Sequence, residues 1–565
     1  MAKETTSTRC WNKFRVESVC ALCSPLFVSF ATGTLDAESF RRSVSHDLHF
    51  FNASAQAYEL AADCVENDDD KKAIGDLRKS ALQNFQMTDL LATVCSPMIS
   101  TFLIFKSAGQ NLPFDDILAQ ALRGIEGLND SISNATVKYR DFLLAIASGK
   151  VEDIQVPIKI TTPFEKTKVA AYTLGVIAPC MRFYADVYRE IQAPIDTPDP
   201  RPYHGYKKWI ENYTSQDFLA STIETEDLLD KLSTSLTEEE LNEIENLYHQ
   251  ALKLQVEFFA AQPISQQTVV PLSRAQELKN RKLTIFCNFD LTCSVVHSTA
   301  ALEDAAFSKF QLVKKTWDDL SAQHVEEVEK CLNNVNSGML PGPEKKYDYD
   351  GLRKKLEQVA EVEKNANARV EESGILNGLT LETIKLVGNH IVLHDGCRRF
   401  FQKIVKKGRS IIDVHVISHC WSSQLIRSAF SSGSDVLNVH SNELAYVATG
   451  EILKKVESAP EKLRSFNEVL KDRKSDVGHL TVCIGRDISD FLCLLEADIG
   501  IVINPSPRLT KLGLQFAVKF GPLFPTLVKM QKDLAKDSSS IWKPSPGTIY
   551  VVSSWTEIEA FIFGL

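Results

Sequence analysis

No apolar run in this 565-residue chain is long enough to cross a bilayer. The most apolar early stretch, Val19 to Gly33, is too short and is broken by Ser24 and Pro25. An excess of positive charge is also missing. The net charge is −10, whereas a nucleic-acid-binding surface would be basic. The 13 cysteines are scattered, odd in number and lack the paired clusters of a metal site. Cys20-Ala-Leu-Cys23 is an isolated C-x-x-C, read as two thiols on a helix face, and this usage fits a reducing compartment. Residues 1–15 include Glu4 and show neither an apolar signal core nor an Arg/Ser-rich amphipathic pattern. The expectation is a cytoplasmic protein, with a mitochondrial or plastid form where an upstream start adds a transit peptide. What is present is an ordinary globular composition, 44% hydrophobic and 24% charged, in a chain too long for one core. Such a chain suits an enzyme acting on small cationic or neutral molecules.

Residues 1–262 read as helix after helix. Phe40, Val44, Leu48, Phe51, Ala55 and Tyr58 form one stripe between Asp36 and Ala62. Asp47 falls within that stripe, where a carboxylate is costly unless hydrogen-bonded. The last helix opens on a capping box, Thr237-Glu-Glu-Glu240, and carries Leu241, Ile244, Leu247, Tyr248, Ala251, Leu252, Val256 and Phe259 at core spacing. Gln255 points with that set and Glu257 away from it. Cys180 and Tyr184 stand four residues apart, on one helix face.

Four stretches in order, SPLFVSFATGTLDAESFRRSVSHD (24–47), APCMRFYADVY (178–188), YKKWIENYTSQDF (206–218) and LQVEFF (254–259), resemble the motifs of the TenA family. That family comprises thiaminase II and aminopyrimidine aminohydrolases on an all-α, haem-oxygenase-like fold. The resemblance implies that Cys180 is the nucleophile that attacks the pyrimidine. It implies that Asp47 hydrogen-bonds the ring and supports the thiol, and that Tyr184 holds the nucleophile. Tyr139 matches a further pocket tyrosine, and Phe50 an aromatic able to stack on the ring. A thiol needs help to become thiolate, and a flat heteroaromatic needs an aromatic slot with a few fixed polar groups. The chain departs from the pattern at Gln255, where the family places the glutamate that protonates the leaving group. An amide cannot deliver that proton.

Pro263 to Asn280 is polar and contains two prolines, so residues 263–281 are read as a linker. From Lys282 strands alternate with helices, the mark of a doubly wound parallel sheet, with strands expected at 283–287, 411–417, 480–484, 499–503 and 548–552. Residues of about 296–405 are helical and charged. Their Lys/Glu runs suit solvated helix faces.

KLTIFCNFDLT (282–292), IIDVHVIS ending at Ser418, PEKLRSF with Lys462, and HLTVCIGRDISDFLCLLEADIGIVI (479–503) resemble, in order, the four motifs of the haloacid-dehalogenase (HAD) phosphatases. The resemblance implies an α/β phosphatase over 282–565 with a helical cap over about 296–405. Asp290 would be the acid/base, with Thr292 and Ser418 as phosphate contacts and Lys462 as the charge stabiliser; Lys454 and Lys455 are alternatives to Lys462. Mg²⁺ would be held by the residues at 288, 290 and 490. Two departures stand out. Asn288 occupies the place of the nucleophilic aspartate, and Arg486 the first acidic position of the fourth motif. Asp487 lies one residue late, and Asp490 matches the second acidic position.

The two resemblances together cover the chain and match the plant family that fuses a TenA domain to a thiamin monophosphate phosphatase. They imply a bifunctional hydrolase of thiamin metabolism acting on thiamin monophosphate and aminopyrimidines, with no nucleic-acid or membrane partner and with homo-oligomers through the helical half. The other reading is a catalytically silent copy that binds thiamin phosphates or pyrimidines as a sensor or partner protein.

Overall fold

The computed structural model describes residues 4–84, 133–150, 166–192, 206–262, 264, 266–277, 281–307, 311–333, 346–407, 412–430, 437–444, 452–453, 456–471, 479–536 and 546–564. Lys454 and Lys455 lie outside the described residues. The chain divides into two compact units. One holds residues 1–271 with 524–539 and 564–565, and the other 272–523 with 540–563. The linker expected at 263–281 therefore straddles the division at Pro271. Within the first unit, Gln531 fastens the linker, accepting from the Val269 amide at 2.8 Å and donating to the Gln267 carbonyl at 3.0 Å.

The helical unit starts and stops its helices where local chemistry dictates. Ser24 caps the helix Pro25–Thr32, which ends on Gly33 in the left-handed conformation (φ 68°). Asp36 caps the 26-residue helix Ala37–Ala62, and the expected capping box of Thr237 and Glu240 opens the helix Glu238–Ala260. The helices Asn134–Ser148 and Lys166–Gln192 pack with these two. Their buried faces are aromatic: Phe27, Phe30, Phe40, Phe51, Tyr172, Tyr184, Tyr188, Trp209, Tyr213 and Tyr248 are all below 2% exposed.

The second unit is a seven-stranded sheet in the order β3-β2-β1-β6-β7-β9-β8. Its strands are β1 (Lys282–Cys287), β2 (Ile412–Ile417), β3 (Asn438–His440), β6 (His479–Gly485), β7 (Ile499–Ile503), β8 (Lys519–Pro522) and β9 (Thr548–Val552), and all pairs are parallel. β4 (Glu443–Leu444) and β5 (Ile452–Leu453) form a small separate antiparallel pair. The central strands carry β-branched side chains and are covered on both faces, as a parallel sheet requires. The five expected strands are present within a residue or two; β3 and β8 are additions at the two edges. Strand order reverses beside β1, so the carboxyl ends of β1, β2 and β6 converge at a switch point, where α/β sheets bind ligands. Between β1 and β2 lie the helices Ser298–Phe307, Gln311–Asn333, Tyr349–Glu372, Leu381–His390 and Cys397–Lys407. The third of them buries Leu352, Leu356 and Val359 against Val456, Ala459, Leu463 and Ile488.

Candidate functional sites

In the helical unit four long helices bring the candidate residues together. Asp47 is 1% exposed, and both its oxygens accept phenol protons, from Tyr184 at 2.6 Å and from Tyr213 at 3.0 Å. Burial pushes its carboxyl up to about 7, although the two phenols pull the other way. Cys180 lies in mid-helix, directly after Pro179, which cannot donate to the Gly175 carbonyl. Its thiol is sealed and rests against the Tyr139 hydroxyl and, at 3.5 Å, the Val176 carbonyl. Burial raises the thiol well above its ordinary value. The partner of the thiol is thus Tyr139, while Tyr184, expected there, holds Asp47 instead. Phe50 links the two groups: it stacks on Tyr139 at 5.4 Å and tilts against Tyr184 at 5.9 Å.

Gln255 is fully buried, and neither its amide nitrogen nor its oxygen has a hydrogen-bond partner among the described residues. Glu257 points outward and pairs with Lys138 at 2.7 Å. A buried amide left without partners costs roughly 1–3 kcal/mol, a penalty that a bound polar ligand would relieve. Sequence reasoning assigned no role to Tyr213 or His46. The first carries half of the Asp47 clamp. The second contacts the Thr136 hydroxyl beside Phe50, Tyr139 and Phe258 in a narrow crevice, and burial holds its imidazole down at about 4. Tyr213 lies in a quoted motif, so a signal for it existed; His46 precedes Asp47 on the same helix and gave none.

In the α/β unit the four motif segments meet at the carboxyl ends of β1, β2 and β6. Asp290 accepts from the Ser298 amide at 2.6 Å and from the Ser418 hydroxyl at 3.1 Å. Lys462 is 1% exposed and reaches Asp490 at 2.8 Å and Ser489 at 3.2 Å. The other oxygen of Asp490 accepts from the amides of Arg486 at 2.8 Å and Asp487 at 3.2 Å, and from the Asn288 side chain at 3.3 Å. Gly485 is required here because a Cβ would sit 2.5 Å from that of Asp490. Leu291 adopts φ 56°, strain for a leucine that turns the loop after Asp290 back towards the sheet. The Arg486 guanidinium lies 3.5 Å from the Leu291 carbonyl, and Asp487 turns away to Ser506 at 2.7 Å. Thr292 is sealed, with its hydroxyl unpartnered among the described residues.

These residues do not fit a divalent cation as they stand. Every oxygen of Asp290 and Asp490 already accepts a hydrogen bond, the Lys462 ammonium lies on Asp490, and Asn288 brings no charge. Asp487 does not substitute for the acid missing at 486, because its carboxylate caps Ile488 at 2.7 Å and binds Ser506. Among the described residues no group of three or more His, Cys, Asp or Glu is gathered as metal ligands.

The chain is 44% identical over 593 aligned positions to the bifunctional TH2 protein, mitochondrial, of Arabidopsis thaliana, covering 100% of this chain and 90% of that one. It belongs to the bifunctional TH2 protein family. The model of the TENA/THI-4/PQQC family matches residues 164–263, the segment carrying Cys180, Tyr184, Tyr213 and Gln255. Among solved structures, a TenA homologue from Pyrococcus furiosus aligns at 14% identity and TM-score 0.32, covering 45% of this chain and 98% of that one. A substrate-bound phosphoserine phosphatase aligns at 16% identity and TM-score 0.27, covering 41% and 90%. The helical unit, which carries the TENA/THI-4/PQQC match, is followed by an α/β unit built on a seven-stranded parallel sheet. No helix among the described residues is long and apolar enough to cross a membrane.

Proposed function

We propose that this TH2 family member is a bifunctional hydrolase of thiamin metabolism: an aminopyrimidine aminohydrolase in its helical half and a thiamin monophosphate-binding phosphatase, slow as the sequence stands, in its α/β half. The observation that carries the first assignment is the clamp of Tyr184 and Tyr213 on a fully buried Asp47, close to the Cys180–Tyr139 contact. The thiol adds to the ring carbon bearing the amino group, ammonia departs with a proton, and water then displaces the sulfur. Gln255 cannot supply the proton. Asp47, held up to about 7, half-carries one at neutral pH and serves as its source.

In the α/β half, Ser418, Lys462 and the Thr292 hydroxyl bind the phosphoryl group, and Asp290 is placed to exchange a proton with the leaving alcohol. Asn288 is a poor nucleophile, so the aspartyl-phosphate route is not available to the native side chain. Mg²⁺, implied by resemblance, finds no adequate donor set in these side chains. Asn288 and Arg486 favour the second reading for this half alone: a pocket that holds a thiamin phosphate without turning it over quickly. The mitochondrial compartment in the relative's name and a homo-oligomer through the helical half belong to the same proposal, the latter supported by resemblance.

The test is a paired assay on the full chain: ammonia from aminopyrimidine, and phosphate from thiamin monophosphate with Mg²⁺. Ammonia release with slow phosphate release is expected. A fast phosphate reaction would overturn the assignment of the second half, and absent ammonia release that of the first.

A further inference from the structure

On the cap helix Tyr349–Glu372 the spacing of the buried Leu352, Leu356 and Val359 leads on to Glu363, a half-buried carboxylate where the stripe calls for an apolar residue. The helix is pinned along the start of Ala459–Lys471 by Lys364 to Glu461 at 3.5 Å and by Asn367 to Glu457 at 3.2 Å. That places Glu363 in the field of Lys462, Asp487 and Glu461, of which Lys462 is assigned to the phosphoryl group. It makes no hydrogen bond among the described residues, and burial pushes its carboxyl up to about 8 against the pull of Lys462.

Two more polar atoms there have no partner among the described residues. One is Nε2 of His419, whose other ring nitrogen is tied to the Ser458 main chain; the second is the Ser458 hydroxyl, 1% exposed. Burial and the Lys462 charge keep His419 neutral, so its Nε2 is an acceptor. Two residues beyond His419, the buried Trp421 meets the cap's half-buried Trp317 edge-on, with ring centroids 6.1 Å apart. A carboxylate, an acceptor nitrogen and an indole pair describe a host for one kind of guest, since indole faces attract cations and flat rings.

We propose that Glu363, His419, Ser458, Trp317 and Trp421 form the leaving-group subsite of the phosphatase pocket, selecting phosphomonoesters whose alcohol is a flat cation bearing hydrogen-bond donors. The inference rests on the reading of the α/β half as a thiamin monophosphate pocket and says which groups of the chain make that choice. A neutral or anionic alcohol would cover the half-buried Glu363 and leave it without a counter-charge from the ligand.

The experiment is calorimetric titration of the full chain with thiamin monophosphate, p-nitrophenyl phosphate and inorganic phosphate. Binding that survives Lys462→Ala is subtracted as belonging elsewhere in the chain. The native chain should prefer thiamin monophosphate to p-nitrophenyl phosphate by roughly tenfold. Glu363→Gln should erase that preference and leave inorganic phosphate affinity unchanged, which also shows the pocket intact. Trp317→Leu should weaken both flat esters and spare phosphate. If the native preference exists but survives Glu363→Gln, or if phosphate binding falls along with it, the subsite is wrong and the function stands. Should the native chain show no preference for thiamin monophosphate, the reading of this half fails and the subsite with it.

Discussion

The two halves depart from their families' chemistry in different ways. In the helical half one side chain departs from the resembled pattern, and Gln255, fully buried, has the shape of the glutamate expected there. The thiol, its tyrosine and the buried carboxyl remain gathered. In the α/β half the departures from the resembled pattern alter charge: the amide of Asn288 stands at the position expected for the nucleophile, and the guanidinium of Arg486 at the one expected for a metal-binding acid. The surrounding groups have closed over the difference, with Lys462 and Asn288 both on Asp490. Shape-preserving loss leaves a pocket that one substitution can reactivate. Loss of charge leaves a pocket whose remaining polar groups satisfy one another, so more than one residue has to be restored.

The sharpest way to break this comparison is Cys180→Ala, which should lower ammonia release on the order of 10³-fold or more. A variant that keeps its rate would remove the thiol from the chemistry and the helical half from its place as the intact one. Next in size, the double change Asn288→Asp with Arg486→Asp should raise Mg²⁺-dependent phosphate release on the order of 10²-fold, with either single change giving far less. Equal gains from one change alone would mean that the pocket had not rearranged around the pair. Gln255→Glu should then raise ammonia release at least about tenfold by returning an acid of ordinary strength.

The last effect concerns stability rather than rate. Asp47 has a folded pKa of about 7, above its ordinary 3.8, so the folded chain holds more protons than the unfolded one between those values. Its contribution is greatest below about pH 4 and is lost as pH rises towards 7, by at most about 4 kcal/mol. Thermal melting of Asp47→Asn across that range should lack this part of the decline. A native-like slope in the variant would show that another group carries it.

Much of the architecture could be read from residue order. The capping box at Thr237, the stripe from Phe40 to Tyr58 and the apolar runs of β1, β6 and β7 are local signals, and the helices and strands formed on them. The edge strands β3 and β8 were not anticipated, because an edge is defined by its neighbour and carries little pattern of its own. The inward direction of Gln255 and the outward one of Glu257 follow from helical period alone.

Which group touches which was settled by packing. Cys180 and Tyr184 share a helix face by sequence, yet Tyr139, from another helix, reaches the thiol, and Tyr184 turns to Asp47 with Tyr213. Helical spacing puts Glu363 on the cap's apolar stripe, but nothing in the local pattern around it, His419 or Trp317 says what they face. They acquire meaning only where the cap lies along the Ala459–Lys471 helix and beside Lys462. Period and capping act over a few residues and are written in the chain, whereas burial of a charge and the absence of its partner depend on segments a hundred or more residues away. For that reason the sequence by itself determined the two folds and the substituted positions, and the tertiary structure decided the hydrogen-bond partners and the direction of every pKa shift.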